Sequence, residues 1–381
     1  METVFVDGSM GEGGGQILRT SLALACITGR NLHIENIRAA RRKPGLAKQH
    51  LSCVRAACEI CGGQCKGAAI GSQVLDFQPG PIHGGNYTFD IGSAGSVSLV
   101  IQTILPALFL ADKPSTVTVS GGTHNPWAPP FDFLAETFLP AIKTASFDAD
   151  CKLVKHGFFP AGGGKIALDV RPRQENPNQP INFCHPAENI QIHARIYTAK
   201  LPAHIAQRQK KLLLQSRLNF KNIEHIEVTD SDGPGNCIMI RLVAASGGSL
   251  KAEGFGDGGP SLGSGRLRSH ACGGVLGAWG WLGRTTVFTA FGQRGKPSEK
   301  VVGEIVELTE DFIAGGAAVD RFSADQLLIY MAISKSGSFT TNELSTHLTT
   351  NIETIKKFLP VNFKVEYKGQ IHQISCESGL T

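Results

Sequence analysis

Read for the spacing of its apolar residues, the chain alternates two periods. Stretches with apolar positions three and four apart predict helices: "QILRTSLALACITG" (16–29), "QHLSCVRAACEIC" (apolar at 51, 54, 58 and 61), "LVIQTILPALFLA" (99–111) and "FSADQLLIYMAISKSG" (322–337). Between them lie short runs of strand character, "NLHIENIRA", "STVTVSGGT" and "GSFTT", and later "SQVLDF", "ASFDADCKLVKHG" and "VNFKVEYKGQIHQI". Gln102, Thr103 and Pro106 interrupt the 99–111 run, which reads as a buried helix too short to cross a bilayer.

These elements recur in order. "GSMGEGGGQILRTSLALACITGR" (8–30) lies over "GSAGSVSLVIQTILPALFLADKP" (92–114) at a shift of 84 residues, each a glycine loop feeding a helix. The helix at 322–337 matches them without its glycine loop. After each comes a strand, a loop, a second helix ("PGLAKQHLSCVRAACEICGG", "PPFDFLAETFLPAIKTAS", "HLTTNIETIKKFLP") and closing strands. The expectation is an α/β (α+β) fold. Three strand-helix-strand-helix-strand units, each a small sheet with paired helices on one face, pack together to cover their apolar sides.

Residues 183–313 break this pattern. "IQIHARIYTAKLPAHIAQRQKKLLLQSRL" reads as a strand then a basic helix, "CIMIRLVAA" as a strand, and "KPSEKVVGEIVELTEDFIAGG" as a helix. The implied organisation is a three-repeat domain from 1–182 and 314–381, carrying a small α/β insert domain at 183–313. Arg208, Lys210, Lys211 and Arg217 on the basic helix suit either a nucleic acid or plain solvent. Within the insert, 246–283 is Gly/Ser-rich and reads as a long mobile loop. Its "GFGDGG" has no following helix and is no dinucleotide fingerprint.

Composition narrows the setting. The 381 residues are 41% hydrophobic and 18% charged, with a net charge of +5, which describes a globular chain that tolerates an anionic partner without requiring one. No basic-then-apolar leader opens the sequence, and ten cysteines without one suggest reduced thiols and a cytoplasmic protein without a membrane partner. Cys58 and Cys61 form a C-x-x-C flanked by Cys53 and Cys65. No second ligand pair accompanies them, so they read as buried helix cysteines.

The chemistry concentrates in "DGSMGEGGGQILRT". It lacks the Gly-Lys-Ser/Thr of a P-loop, yet its glycines admit close backbone approach and the following helix N-terminus favours an anion. Glu12 within it is either a ligand for a divalent metal between protein and phosphates or a first-turn acid suited to the helix dipole. "IRAARRKPGLAKQH" (37–50) offers Arg38, Arg41, Arg42, Lys43, Lys48, Gln49 and His50, either for phosphate oxygens or as a generic basic loop. "GGTHNPWAPP" (121–130), with His124 and Trp127, is either one wall of a base-stacking slot or a proline turn.

Together, "DGSMGEGGGQILRTSLAL", "IRAARRKPGLAKQHL", "GSAGSVSLVIQTILPAL", "SGGTHNPWAPPFDFL", "HGFFPAGGG" and "SADQLL…THLTTNIETIKKFLP" closely resemble the RNA 3′-terminal phosphate cyclases. The resemblance runs nearly the whole chain and weakens only over 246–283. It implies the three-repeat-plus-insert architecture and conversion of an RNA 3′-phosphate end to a 2′,3′-cyclic phosphate, using ATP and Mg2+ or Mn2+. By the same resemblance His347 is the adenylated nucleophile and Glu12 the metal ligand. Arg19, Arg38, Arg41, Gln49, His50 and Gln102 belong to the phosphate pocket. Asp325 and Gln326 match the "DQL" of the third repeat, and Phe322, with Pro129 opposite, packs on adenine. Thr350 and Glu353 read as a capping box that puts His347 in the loop just before a helix.

Two rivals follow. A cyclase-like protein that only binds RNA in ribosome assembly would have lost the nucleophile, and His347, Glu12, Arg19 and Arg41 are all present. An enolpyruvyl transferase, which shares a related repeat architecture, would leave the histidine motif idle.

Overall fold

A computed structural model describes residues 2–173, 180–244 and 285–379. It is a mixed α/β structure built on four four-stranded sheets. The first sheet arises from β1 (Thr3–Asp7), α1 (Gly15–Thr28), β2 (Asn31–Glu35), α2 (Lys48–Cys61), β3 (Gln64–Lys66) and β4 (Leu75–Gln78), in the order β1-β2-β4-β3. β1 and β2 run parallel, and the other pairs are antiparallel.

The second sheet has the same order and sense. It uses β5 (Asn86–Asp90), α3 (Val97–Leu108), β6 (Ser115–Gly121), α4 (Phe131–Phe133), a π-helical turn over Leu134–Phe138, α5 (Leu139–Lys143), β7 (Ala149–Lys155) and β8 (Gly164–Val170). The third is assembled from distant pieces. β9 (Ile181–Phe183) lies parallel to a strand more than 150 residues later, and between them come β10 (Ile190–Ala199), α6 (Ala203–Leu214), β11 (Phe220–Val228), β12 (Gly235–Ala244), β13 (Thr285–Phe291) and α7 (Ser298–Gly315). The chain then forms α8 (Arg321–Ser334), β14 (Ser336–Thr341), α9 (Thr346–Lys356), β15 (Val361–Lys368) and β16 (Ile371–Ser378), giving the order β9-β14-β16-β15. The sequence pattern does not predict the strand at 181–183: its three residues straddle the expected domain boundary at 182/183, and so short a run carries no period.

The intervening elements form the fourth sheet, β11-β10-β12-β13, against α6 and α7. Ile196, Ile238, Ile240, Leu213, Ile305 and Phe312 give it a hydrophobic cluster of its own with α6 and α7, while Tyr197, Ala199, Cys237 and Met239 join the larger cluster of α1, α2, α3, α8, α9 and the other three sheets. Arg208 on α6 is spent on Glu299 at 2.6 Å. The Gly/Ser-rich stretch 246–283, with its expected mobility, lies outside the described residues.

α1 packs on α2, α3 and α9, at the centre of that helix group. Its pattern explains that position: Ile17, Leu18, Leu22, Leu24 and Ala25 are all buried, and Gly29 in the left-handed region ends the helix. The cysteines of α2 serve the core, with Cys53 and Cys61 buried as free thiols. No helix among the described residues is long and apolar enough to cross a membrane.

Candidate active site

The glycine loop before α1 folds back on α9. Gly11 has φ +56, and a Cβ there would collide with the Thr350 hydroxyl, so only glycine brings the loop this close. The Thr350 Oγ1 accepts the Glu12 N–H at 3.2 Å. The Glu12 carboxylate, 14% exposed, lies against Gly14, pairs with the Arg41 guanidinium and stands 3.9 Å from the His347 Nε2.

His347 is not in a loop. Ser345 caps α9 by accepting the Leu348 N–H at 3.1 Å, and His347 lies within the first turn. The expected Thr350–Glu353 box fails because the Thr350 hydroxyl serves Glu12 across 338 residues, and Ser345 takes the cap. The His347 Nδ1–H donates to the Gln16 Oε1 at 2.7 Å, and the Gln16 amide N–H donates to Asp325. An amide oxygen only accepts, so the Nδ1 proton is fixed and the Nε2 lone pair faces the Glu12–Arg41 side. Desolvation, with Arg19 and Arg41 nearby, depresses the His347 pKa and keeps the ring neutral.

Asp325, on α8, is pushed up to about 7 by desolvation; Arg19 counters this and Asp320 adds to it. The Asn351 side chain donates to the Asp325 carbonyl at 2.6 Å and accepts from Thr20 at 2.8 Å, tying α1, α8 and α9 together. Beside this group, the His50 Nδ1 accepts the Ala47 N–H at 3.2 Å, and the ring lies so near Gly15 and Arg19 that a Cβ on Gly15 would strike both. Desolvation and then Arg19 and Arg38 hold His50 at about 3, so it remains neutral.

Gln49 braces a neighbouring loop. Its Oε1 accepts the Ser96 N–H at 2.8 Å, joining α2 to the glycine loop of α3. Gln102 donates to Gln326, whose own amide donates to the Phe322 carbonyl at 2.5 Å. Arg38 closes its loop on the Gly45 carbonyl at 2.7 Å. Phe322 is 41% exposed and lines a cleft of about 480 Å³. The wall across that cleft includes Pro126 and Trp127; Pro129, the expected partner of Phe322, is not among its lining residues. His124 is fully buried and bonded to Asp132 at 3.1 Å, a structural role.

The structure thus gathers Glu12, Arg41, His347, Asp325, Arg19 and His50 at the N-termini of α1, α2 and α9 and on α8. Gln102 and Gln326 form a linked pair. Gln16, Thr350 and Asn351 are central to the site, and nothing in the sequence pattern gives them a role in its chemistry. The available signal is Gln16 standing three residues before Arg19 on one face of α1.

A family model described as RNA 3′-terminal phosphate cyclase matches residues 10–365. The chain belongs to the RNA 3′-terminal phosphate cyclase family. A protein named RNA 3′-terminal phosphate cyclase from Pseudomonas fluorescens is 37% identical over 99% of this chain and 98% of its own. Proteins of the same name from Ralstonia nicotianae and Koribacter versatilis are 40% and 39% identical, covering 95% and 99% of this chain and 93% and 96% of theirs. Family membership at this coverage makes the chain an enzyme of the cyclase class, and the convergence of helix N-termini is the part of the cyclase chain that this geometry singles out.

Proposed function

We propose that the protein converts an RNA 3′-terminal phosphate to a 2′,3′-cyclic phosphate with ATP, through AMP carried on His347. The observation that carries this is a neutral histidine in the first turn of α9, its Nδ1–H held by Gln16 and its Nε2 left toward Glu12 and Arg41. Three sheets of one strand order support reading the molecule as three copies of a unit. The second hydrophobic cluster, drawn from 190–312 alone, supports reading that part as an insert domain.

In this reading the His347 Nε2 attacks the α-phosphorus of ATP; a P–N bond forms and the P–O bond to pyrophosphate breaks. Gln16 keeps the Nδ1 proton in place as the ring becomes cationic. Arg19 and Arg41 face the phosphate oxygens. An oxygen of the RNA 3′-phosphate then attacks the same phosphorus and frees the histidine. The ribose O2′ finally attacks the 3′-phosphorus, losing its proton to solvent and expelling AMP, a ring closure that positioning governs. A single hard carboxylate on a glycine loop fits Mg2+ or Mn2+ completed by phosphate and water, so Glu12 is the residue to hold it. Such an ion supplies charge neutralisation for departing pyrophosphate. Nine free cysteines among the described residues fit a reducing, cytoplasmic setting.

The test is incubation with α-labelled ATP and magnesium or manganese. The wild type should form an acid-labile, alkali-stable protein–AMP adduct that RNA 3′-phosphate discharges, and His347→Ala should form none. An adduct retained by His347→Ala, or none in a folded wild type, refutes the reading.

A further inference from the structure

Two large rings that stand in solvent touch each other beside the candidate site. Trp127 is 77% exposed and Phe159 is 51% exposed, and they meet edge to face at 5.6 Å. Exposed aromatics in contact are costly to leave in water and are a usual sign of a binding surface. Their backbone is fixed from beneath. The Thr123 and His124 N–H groups donate to the Gly157 carbonyl at 2.9 and 3.0 Å, and Gly162 donates to the Phe158 carbonyl at 2.7 Å. The neighbours His124 and Phe158 are buried at 0% and 2%. The two loops therefore point one ring in and the next ring out from a rigid base.

The pair is continuous with the phosphate-facing loops. Asn125 donates to the Ala94 carbonyl at 2.6 Å, and Val97 N–H to the Gly122 carbonyl at 2.9 Å, which latches the Trp127 loop to the glycine loop of α3. Gly162, in the Phe159 loop, backs onto Ala94 so closely that a Cβ would lie 2.9 Å from its Cα. That glycine loop is in turn held by Gln49, next to His50. Exposed Arg42, Lys43 and Lys48 belong to the same α2 entrance, where Lys48 donates to the Gly92 carbonyl at 3.2 Å. Rigid aromatic faces, a glycine loop and basic side chains in succession are what a single-stranded polynucleotide uses.

We propose that Trp127 and Phe159 form the platform on which the RNA stacks a base upstream of its 3′ end, while the terminal phosphate lies at His347. This rests on the cyclase reading above. A stack of this kind takes any base, because every base offers a π face, and it selects unpaired ends, since a duplex keeps its faces to itself. The platform adjoins the cleft of Phe322: Trp127 lines that cleft and Phe159 does not.

The experiment compares wild type with Phe159→Ala, Trp127→Ala and Trp127→Phe in two assays: adenylation by labelled ATP alone, and cyclisation of a 3′-phosphorylated single-stranded oligoribonucleotide. The alanine variants should raise the RNA KM about ten-fold, as expected for one lost base stack, and Phe159→Ala should leave the rate and ATP dependence of adenylation unchanged. Trp127→Phe should restore most of the affinity. An RNA abasic at the stacked nucleotide should bind wild type as weakly as intact RNA binds the variants. An unchanged RNA KM overturns the platform, and a raised ATP requirement with Trp127→Ala assigns the ring to the nucleotide instead. Absence of any adduct in wild type defeats the cyclase reading itself, a result distinct from both.

Discussion

Gln16→Met tests whether the histidine is set up by its amide partner. Gln16 is 7% exposed and bridges His347 to Asp325; methionine keeps its length and volume and removes both hydrogen bonds. In the resting enzyme the 2.7 Å bond joins two neutral groups. In the proposed reaction, Nε2 bonding to phosphorus turns the ring cationic and makes the same bond charge-assisted, worth about 1.5–3 kcal/mol. Only its gain over the neutral bond of about 0.5–1.5 kcal/mol enters the rate, about 1–1.5 kcal/mol, so its loss should slow adduct formation about 5- to 13-fold. The assay is single-turnover formation of protein–AMP at saturating ATP, with thermal unfolding measured in parallel. A folded Gln16→Met that adenylates within about two-fold of wild type would refute the assigned role, because no charge-assisted bond would then have been lost.

Two further outcomes concern pH. The His347 pKa is depressed below 6.5, so adenylation should rise with pH and level off about a midpoint under that value; Arg41→Ala removes one positive neighbour and should move the midpoint up, read from the pH–rate profile. Asp325 is raised from 3.8 to about 7, so the folded state holds its proton longer than the unfolded chain: its stabilising contribution is complete below pH 3.8 and lost as pH rises through 7. Asp325→Asn lacks that loss, and its Tm relative to wild type should climb between those values and then flatten; a constant difference would contradict the assignment.

Much of this architecture is legible in the chain because it is local. The helix of 15–28 announces itself by glycines followed by a 3.6-residue period, and α3 repeats the same signal. α8 shows how one signal is exchanged for another: Asp320 caps it through the Phe322 and Ser323 N–H groups, as Ser96 caps α3 through the Leu99 N–H, where α1 starts from Gly14 with no side-chain cap. What the pattern hides is what distance creates. A half-exposed histidine in "STHLTT" has no local mark of reactivity, and only the family resemblance picks it from the twelve in the chain. Thr350 looks like a cap and is diverted by Glu12, while Gln16 looks like a helix glutamine until α8 and α9 arrive beside it. Asp325 owes its raised pKa to burial that no neighbour in sequence predicts.

The bonds that join Gln16 to His347 and Glu12 to Thr350 span 331 and 338 residues. During synthesis, the ribosome therefore delivers the glycine loop of α1 and the arginine-rich loop before α2 long before His347 exists. The first two sheets can complete themselves from contiguous chain, while β9 must wait through the whole of 190–312 for β14. Contacts of such separation close late, since the intervening chain must be ordered first. A chain released short of α9 thus lacks His347 and Thr350, and leaves Gln16 and the Glu12 N–H without those partners. On the function proposed above, ATP chemistry begins only when the two ends of the polypeptide have met, so the last helix to be made acts as the protein's own proof of completion.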